Sequence, residues 1–153
     1  MSKDIHSWDR INKLVCDLTG QLKAEDYDVV LAITRGGMIP ACLISEHLDI
    51  RNVLTAAVMF YTGEGETMSE PHFFQFPGDS LLYEKRVLIV DDVWDSGKTA
   101  MAVKGRVLKA GGKPTVAVIH YKPESNRFPG ERPDVIALET SAWIVYPWEL
   151  DCE

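Results

Sequence analysis

Residues 87–99 are the segment that most constrains the fold of this chain, and they read Val-Leu-Ile-Val-Asp-Asp-Val-Trp-Asp-Ser-Gly-Lys-Thr. Four aliphatic residues without a polar break are typical of a strand buried on both faces of a parallel sheet. Two acids, Asp91 and Asp92, end this run, and a third, Asp95, opens a loop of small residues. An amphipathic helix follows and stops near the glycine pair at 111–112, since glycine commonly follows a helix end. The pattern predicts a strand, an acidic loop and a helix of an α/β sheet.

Each part of this segment suits a phosphorylated ligand. In open α/β sheets, ligands bind outside the carboxyl ends of the strands. A loop of small residues that enters a helix leaves N–H groups free for an anion, which the helix dipole also favours. Carboxylates beside a phosphate need a compensating cation such as Mg²⁺, and they accept hydrogen bonds from sugar hydroxyls. The segment therefore indicates a phosphorylated sugar bound with a divalent metal, with the phosphate on Ser96, Gly97, Lys98 and Thr99.

Other interpretations of the segment fit less well. Gly97-Lys98-Thr99 matches the end of a Walker-type P-loop, but that motif needs a glycine five positions earlier, where this chain has Asp92. The paired acids also resemble the pocket of a receiver domain, in which they follow the first strand, whereas here most of the chain precedes them. The remaining alternative is a solvated strand end with a capped helix. The third acid and the Ser-Gly-Lys-Thr loop favour a ligand site over that alternative.

The segment resembles the phosphoribosyl diphosphate (PRPP) motif of the type I phosphoribosyltransferases. The resemblance implies that Asp91 and Asp92 hold the ribose hydroxyls and the metal. It also implies that Asp95 is the catalytic residue, lying near the incoming base as a proton acceptor, and that residues 95–99 bind the 5′-phosphate. Lys98 departs from the family pattern, in which glycine or another small residue is common at this position.

A second strand, loop and helix pattern lies earlier in the chain. Residues 29–34 are a buried-strand run, an Arg-Gly-Gly loop follows, and Pro40 lies in the first turn of a helix that runs to about residue 48. Two glycines allow the backbone to approach a ligand closely, and the guanidinium suits pyrophosphate. In the family this loop holds pyrophosphate and often contains a non-proline cis peptide. The resemblance thus assigns pyrophosphate binding to Thr34, Arg35, Gly36 and Gly37.

Residues 62–80, which follow a predicted strand at 53–61, are expected to form a mobile loop. They are rich in glycine, proline and acids, and the aromatic run at 72–76 predicts a short strand within them. A lid here would exclude water from an oxocarbenium-like centre; the alternative is a surface hairpin without a catalytic role. The family loop often starts with Ser-Tyr, where this chain has Phe60-Tyr61.

The last third of the chain predicts a base pocket. A strand at 115–121 ends in Lys122-Pro123, and the aromatic tail at 142–149 contains Trp143 and Trp148. With the two loops, this order is similar to that of the bacterial xanthine–guanine phosphoribosyltransferases. The similarity implies that Lys122 binds the purine 6-oxo group and that Trp143 stacks on the ring, a contact that contributes about 1–3 kcal/mol. A hydrophobic plug or an aromatic subunit interface is the alternative for the tail.

Two further roles in the tail follow from the same similarity. The backbone of Trp143 and Ile144 would meet the exocyclic group at the purine 2-position. Glu149 would touch a second metal bound to pyrophosphate, although relatives tend to have Asp at its position.

The remaining patterns predict the framework. Residues 7–23 read as an amphipathic helix capped by Ser7, His6 is expected to be exposed, and His120 is expected to be packed rather than catalytic. A short strand is predicted at 134–139. We therefore expect a single α/β domain over residues 1–153, with a mostly parallel sheet, helices on both faces and a small C-terminal hood at about 124–153.

Composition narrows the function classes. The net charge is −7 and there is no basic cluster, so a nucleic-acid partner is not expected. The three cysteines are scattered without a CxxC pair, which predicts neither a zinc site nor a disulfide framework and fits a cytoplasmic location. No apolar run predicts a signal peptide or a membrane span. The family precedent adds a homodimer or homotetramer.

These observations lead to one expected activity. The chain would transfer the phosphoribosyl group from PRPP to guanine, xanthine or hypoxanthine with Mg²⁺, releasing pyrophosphate. One alternative is a phosphoribosyltransferase for another base. Another is a non-catalytic PRPP-sensing regulator on the same fold. Such regulators usually lose catalytic parts and often add a nucleic-acid surface, whereas this chain keeps Asp95 and has no basic stripe.

Overall fold

A computed structural model describes residues 2–60 and 70–149 of the chain. The helices are α1 (Trp8–Thr19), α2 (Met38–Leu48) and α3 (Lys98–Lys109). The strands are β1 (Lys3–Ile5), β2 (Val29–Ile33), β3 (Val53–Phe60), β4 (Pro71–Gln75), β5 (Arg86–Trp94), β6 (Lys113–Tyr121), β7 (Val135–Glu139) and β8 (Trp143–Val145). No helix in the described part of the chain is long and apolar enough to cross a membrane.

The central sheet confirms the predicted α/β class. Its six strands lie in the order β4-β3-β2-β5-β6-β7, and all neighbouring pairs are parallel except the antiparallel pair of β3 and β4. Every residue of β2 is buried, which explains its uninterrupted aliphatic run. Alternate residues of β2 and β5 pack with α1 and α2 on one face and with α3 on the other. The helices therefore cover both faces, as predicted.

Two predicted element ends are wrong. Helix α1 ends at Thr19 rather than at residue 23, because the α-helical hydrogen bonds stop after Gly20: the N–H groups of Gln21 and Leu22 bond three residues back, to the carbonyls of Leu18 and Thr19. Strand β5 does not end at the acid pair but continues to Trp94. The aromatic run predicted as a strand does form one, β4, which is an edge strand of the main sheet. The predicted mobile loop lies partly outside the described residues, at 62–69, so its role as a lid stays a prediction.

The hood contains two strands that were not predicted. Strands β1 and β8 form a two-stranded parallel sheet in which Lys3 lies opposite Trp143 and Ile5 opposite Val145. The N–H of Trp143 donates to the carbonyl of Ser2 at 2.9 Å. Three mostly polar residues carry no readable alternation, so only the tertiary pairing reveals β1. The two ends of the described chain thus build the hood together.

A buried polar network joins the hood to the main sheet. His6 is almost fully buried, so the expectation of an exposed His6 is wrong; His120 is packed, as expected. The two imidazole rings lie 4.8 Å apart. Nδ1 of His120 lies 2.8 Å from the hydroxyl of Tyr146, and Arg10 Nε donates to Nδ1 of His6 at 3.1 Å. The carboxylate of Asp4 lies 3.1 Å from the other nitrogen of His6, outside hydrogen-bonding geometry.

Burial is the main reason why the pKa of His120 is lowered from 6.5 to about 4, and the neighbouring His6 adds to the effect. Between these two pH values the unfolded chain binds a proton at position 120 that the folded chain does not. The free energy of unfolding contributed by neutral His120 is therefore complete above pH 6.5 and is lost as the pH falls toward 4.

We expect His120→Asn to remove this pH dependence, because asparagine does not titrate. Between pH 6.5 and 4, the wild type should lose up to about 3 kcal/mol more free energy of unfolding than the variant, as measured by urea denaturation. Taking the difference cancels the titration of the acids that both proteins share. A constant difference across this range would contradict the buried, neutral state of His120.

Candidate active site

The site lies at the gap between β2 and β5. Strand β2 leads through α2 to β3 on one side, and β5 leads through α3 to β6 on the other, so the chain direction switches between them. Ligands of open α/β sheets bind at such switch points. The pairing of β2 with β5 ends with Ala32 opposite Val90, whereas β5 runs on to Trp94. The acids at 91 and 92 therefore begin where β2 stops, and the gap opens beside them.

The acid pair distorts the end of β5. The N–H of Asp92 donates to the carboxylate of Asp91 at 2.9 Å, and that of Val93 donates to the carboxylate of Asp92 at 2.7 Å. The side-chain alternation inverts here, because Val93 packs on the α1 and α2 face and Trp94 on the α3 face. Burial raises the pKa of Asp91 well above its usual value, and the charge of Asp92 adds to this. Burial also raises the pKa of Asp92, and the charge of Glu149 contributes.

Buried acids with raised pKa values favour a cation beside them. Among residues 2–60 and 70–149, no group of three or more His, Cys, Asp or Glu side chains could hold a metal by itself. Mg²⁺ commonly binds to one or two carboxylates and takes its other oxygens from phosphates and water. The pair Asp91 and Asp92 fits that donor set.

The loop at 34–37 approaches the acid pair so closely that two glycines are required. A Cβ atom on Gly36 would collide with the carboxylate of Asp92, and one on Gly37 would collide with the backbone carbonyls of Val90 and Ile33. The peptide between Thr34 and Arg35 is cis, in agreement with the family resemblance. The loop leads into α2 through a bond from the N–H of Gly37 to the carbonyl of Ile33 at 2.8 Å.

The loop at 95–99 delivers the N-terminus of α3 to the same gap. Gly97 has φ +89°, and a Cβ atom there would lie 2.5 Å from Nε1 of Trp94. The N–H of Lys98 donates to the hydroxyl of Ser96 at 3.3 Å, and the N–H of Met101 reaches the carbonyl of Gly97 at 2.9 Å. The intervening N–H groups belong to the first helical turn, which has no intrahelical acceptors and attracts an anion.

Three adjoining cavities meet at Asp92. The first has a volume of about 310 Å³ and is lined by Thr34, Gly36, both acids of the pair and the whole loop at 95–99. The second, of about 640 Å³, is lined by Thr34, Arg35, Gly36, Asp92, Trp148 and Glu149. The third, of about 140 Å³, is lined by Asp92, Val93, Asp95, Lys122, Trp143, Ile144, Tyr146 and Glu149. All of the sequence-predicted site residues except Gly37 therefore line one or more of three cavities that share Asp92.

The predicted base-binding residues lie together. Nζ of Lys122 is 5.8 Å from the centre of the Trp143 ring, which is 56% exposed and thus open to a ligand. The N–H of Lys122 donates to the carbonyl of Trp94 at 3.0 Å, which fixes the strand end beside the acid loop. The amide of Trp143 and the carbonyl of Val145 bond to the β1 side. Because backbone groups alternate along a strand, those of Ile144 face the opposite edge.

Sequence reasoning missed three residues that support the site. Trp94 lies beneath Gly97 and donates its indole N–H to Asn126 Oδ1 at 3.1 Å. Asn126 also donates to the carbonyl of Glu131 at 2.7 Å, so it ties the 123–131 loop to Trp94, beneath the loop at 95–99. Tyr146 donates its hydroxyl to the carbonyl of Asp92 at 3.1 Å. No local pattern identifies these residues, because the contacts of Trp94 with Asn126 and of Tyr146 with Asp92 join distant parts of the chain.

The fold and these two loops define an α/β protein that binds a phosphorylated ligand at its switch point. A family model described as a phosphoribosyl transferase domain matches residues 1–153. A xanthine-guanine phosphoribosyltransferase of Gluconobacter oxydans is 32% identical over 148 residues, covering 94% of this chain and 82% of that protein. The chain belongs to the phosphoribosyltransferase family.

Two solved structures extend the similarity to the fold. A purine phosphoribosyltransferase from Pyrococcus horikoshii has a TM-score of 0.84 and 33% identity, covering all of this chain and 97% of that one. A hypothetical protein from Neisseria gonorrhoeae with bound ppGpp also has a TM-score of 0.84, with 28% identity over 97% of this chain and 90% of its own. These likenesses confirm the predicted type I phosphoribosyltransferase fold.

Gly97→Ala should weaken both the fold and the phosphate site. An L-residue at positive φ costs about 1–2 kcal/mol, and the new methyl group would press on the indole of Trp94. We expect urea denaturation to show a loss of about 2 kcal/mol or more in the free energy of unfolding, together with weaker binding of PRPP in calorimetry.

Gly105→Ala is the matched control, because a Cβ atom at this exposed position of α3 would meet nothing within 4 Å. It should stabilise the protein by about 0.5–1 kcal/mol through helix propensity and leave PRPP binding unchanged. Equal effects of the two substitutions would contradict the role assigned to Gly97.

Proposed function

We propose that this protein transfers the 5-phosphoribosyl group from PRPP to a 6-oxopurine (guanine, xanthine or hypoxanthine), with Mg²⁺, giving the nucleoside 5′-monophosphate and pyrophosphate. The observation that carries the proposal is that Asp92 lines three adjoining cavities, each with a different chemistry. Their linings match the 5′-phosphate and ribose, the pyrophosphate, and the base of one reaction.

The first two cavities suit PRPP. The 5′-phosphate would bind the loop of Asp95, Ser96, Gly97, Lys98 and Thr99 at the N-terminus of α3. The ribose hydroxyls would donate to Asp91 and Asp92, and the pyrophosphate would bind the loop of Thr34, Arg35, Gly36 and Gly37. This assignment places the bond that breaks near Asp92, which the two cavities share.

Asp91 and Asp92 would hold Mg²⁺ together with oxygens of PRPP. Bound there, Mg²⁺ would neutralise charge on the pyrophosphate as it leaves. Glu149 lines both the second and the third cavity. One of its oxygens accepts the N–H of Tyr146 at 2.9 Å, so the other oxygen would be the contact to a second metal on pyrophosphate.

Asp95 would act at the junction of the sugar and the base, since it lines both the first and the third cavity. A purine ring nitrogen would attack the ribose carbon that carries pyrophosphate. The carbon–oxygen bond breaks with its electron pair leaving on pyrophosphate, and the proton of the purine nitrogen passes to the carboxylate of Asp95. The chain contributes by positioning the reactants and stabilising charge.

The third cavity suits a 6-oxopurine. Lys122 can donate to an oxo group, whereas its ammonium cannot accept a hydrogen bond from the amino group of adenine. Trp143 would stack on the ring, and Ile144 would present one N–H and one carbonyl to the 2-position. The name of the Gluconobacter relative, which specifies xanthine and guanine, supports this choice.

A non-catalytic, PRPP-sensing regulator on the same fold is the second candidate. It is favoured by the Neisseria neighbour with bound ppGpp, because a guanine nucleotide bearing diphosphates would match both the base cavity and the phosphate loops. A phosphoribosyltransferase for another base would have to use the Lys122 and Trp143 pocket differently.

We further propose a single cytoplasmic domain over 1–153, a lid in the 62–80 segment, and a homodimer or homotetramer.

Pyrophosphate release from PRPP and Mg²⁺ tests the proposal when guanine, xanthine, hypoxanthine, adenine, uracil and orotate are supplied separately. We expect release with one or more 6-oxopurines, and a fall in kcat of about 10²–10⁴-fold for Asp95→Asn. Asp17→Asn, at an exposed site on α1, should leave kcat unchanged. Pyrophosphate release only with uracil or orotate would contradict the assignment of Lys122 and Trp143 to purine binding. Binding of PRPP without pyrophosphate release would favour the PRPP-sensing regulator.

Lys122→Met should lose recognition of the 6-oxo group. A charge-assisted hydrogen bond contributes about 1.5–3 kcal/mol, so kcat/KM for guanine should fall by about one to two orders of magnitude. Lys113→Met is the control, because Lys113 is exposed at the start of β6, whereas Lys122 directly follows the other end of that strand. A similar loss in both variants would show that Lys122 has no specific contact with the base.

A further inference from the structure

We infer that Tyr146 is a positioning residue for phosphoribosyl transfer, because it holds the backbone of Asp92 at the point where the three cavities meet. The inference rests on the proposed function, but it concerns a residue that neither the PRPP motif nor the base pocket pattern includes. Tyr146 is 2% exposed and lies in β8's continuation toward the last described turn of the hood.

The hydrogen bonds of the Tyr146 hydroxyl have one consistent direction. The phenol donates its single proton to the backbone carbonyl of Asp92 at 3.1 Å, since a carbonyl can only accept. Nδ1 of His120, at 2.8 Å, must then be the donor to the phenol oxygen. The network therefore assigns the His120 proton to Nδ1. It orders Tyr146 between a histidine of β6 and the acid pair of β5.

The next groups in the network keep this direction fixed. A phenol is protonated at neutral pH, so Tyr146 remains a donor. His6 packs against His120 and accepts from Arg10 Nε at 3.1 Å, so the next ring in the network is oriented as well.

Tyr146 also fixes the wall between the base and pyrophosphate cavities. Its N–H donates to a carboxylate oxygen of Glu149 at 2.9 Å. Its ring is stacked on Trp148, with centroids 4.6 Å apart and an interplanar angle of 6°. Trp148 and Glu149 both line the second cavity, whereas Tyr146 itself lines the third. Movement of this one residue would shift both cavities relative to Asp92.

The position of the contact distinguishes this role from ordinary core packing. Strand β2 stops pairing with β5 at Val90, so the main chain at Asp92 lacks the support of that neighbour. The acid pair has already diverted two N–H groups of β5 to its own carboxylates. The Tyr146 hydroxyl supplies a hydrogen bond to the backbone of Asp92 at this irregular point. Because the carboxylate of Asp92 is attached to that backbone, Tyr146 also fixes the position of the carboxylate.

Tyr146→Phe isolates the hydroxyl, because it keeps the ring, the stacking on Trp148 and the N–H bond to Glu149. We expect the affinity for PRPP in the presence of Mg²⁺, measured by calorimetry, to fall about tenfold. The Mg²⁺ concentration for half-maximal PRPP binding should rise in parallel, and kcat should fall. KM for guanine should stay within about twofold, because the base-facing ring is retained.

Tyr27→Phe is the matched control. Tyr27 is partly buried outside the site, and its hydroxyl bonds to Thr115. Removal of that hydroxyl should alter thermal stability only. A Tyr146→Phe protein with unchanged PRPP affinity, Mg²⁺ dependence and kcat would overturn the inference, as would an equal loss in both variants.

A second pair of variants decides the matter if Tyr146→Phe does not fold. His120→Asn keeps a donor near the position of Nδ1, whereas His120→Leu has none. We expect weaker PRPP binding in the leucine variant and substantial recovery in the asparagine variant; equal affinities would overturn the inference. If the wild type binds PRPP but transfers to no purine, the proposed function fails while this comparison still stands. If the wild type does not bind PRPP, both fail.

Discussion

The structure depends on one constraint: the carboxylates of Asp91 and Asp92 lie where the buried strand β5 extends beyond the end of its pairing with β2. Asp91 is nearly inaccessible and Asp92 is adjacent to it, so the folded chain holds two ionisable groups where burial disfavours their charged forms. The rest of the sheet compensates, because β2 and the first part of β5 are buried on both faces and pack against helices on each side. A weaker core would favour a solvated acid pair, and the three cavities would then lose their common wall.

The surrounding loops are shaped by the same pair. Gly36 has no Cβ because the carboxylate of Asp92 occupies that space, and Gly37 has none because two backbone carbonyls do. Gly97 fits the positive φ at the start of α3 and leaves room for the indole of Trp94 below it. Each glycine is thus required because other atoms lie where a Cβ atom would be, and not because the chain must be flexible there. The result brings two helix N-termini and an acid pair into one crevice, where anionic groups and a cation can balance one another.

The sequence predicted what is local and continuous. Aliphatic runs identified β2 and β5, and small-residue loops identified the two strand-to-helix turns that line the cavities, because period and turn chemistry are readable in one segment. It could not predict β1, whose three residues have no pattern until β8 lies beside them. It placed His6 on the surface, although the ring packs on His120, which is more than a hundred residues away. It also missed Tyr146, whose partner Asp92 is 54 positions distant. Contacts of this kind form only when the hood is assembled, so they cannot be predicted from local patterns in a single sequence.

Under the proposed function, the hood would also explain why the 2-position of a base needs no dedicated side chain. Pairing with β1 engages the amide of Trp143 and the carbonyl of Val145, so these groups are not available to a ligand. The alternation of the strand leaves the N–H and the carbonyl of Ile144 on the other edge. One donor and one acceptor on the same edge can meet either an oxo or an amino substituent. In the proposed reaction, β1 would therefore set the breadth of base recognition: by covering one edge of β8 it determines which backbone groups remain for the purine.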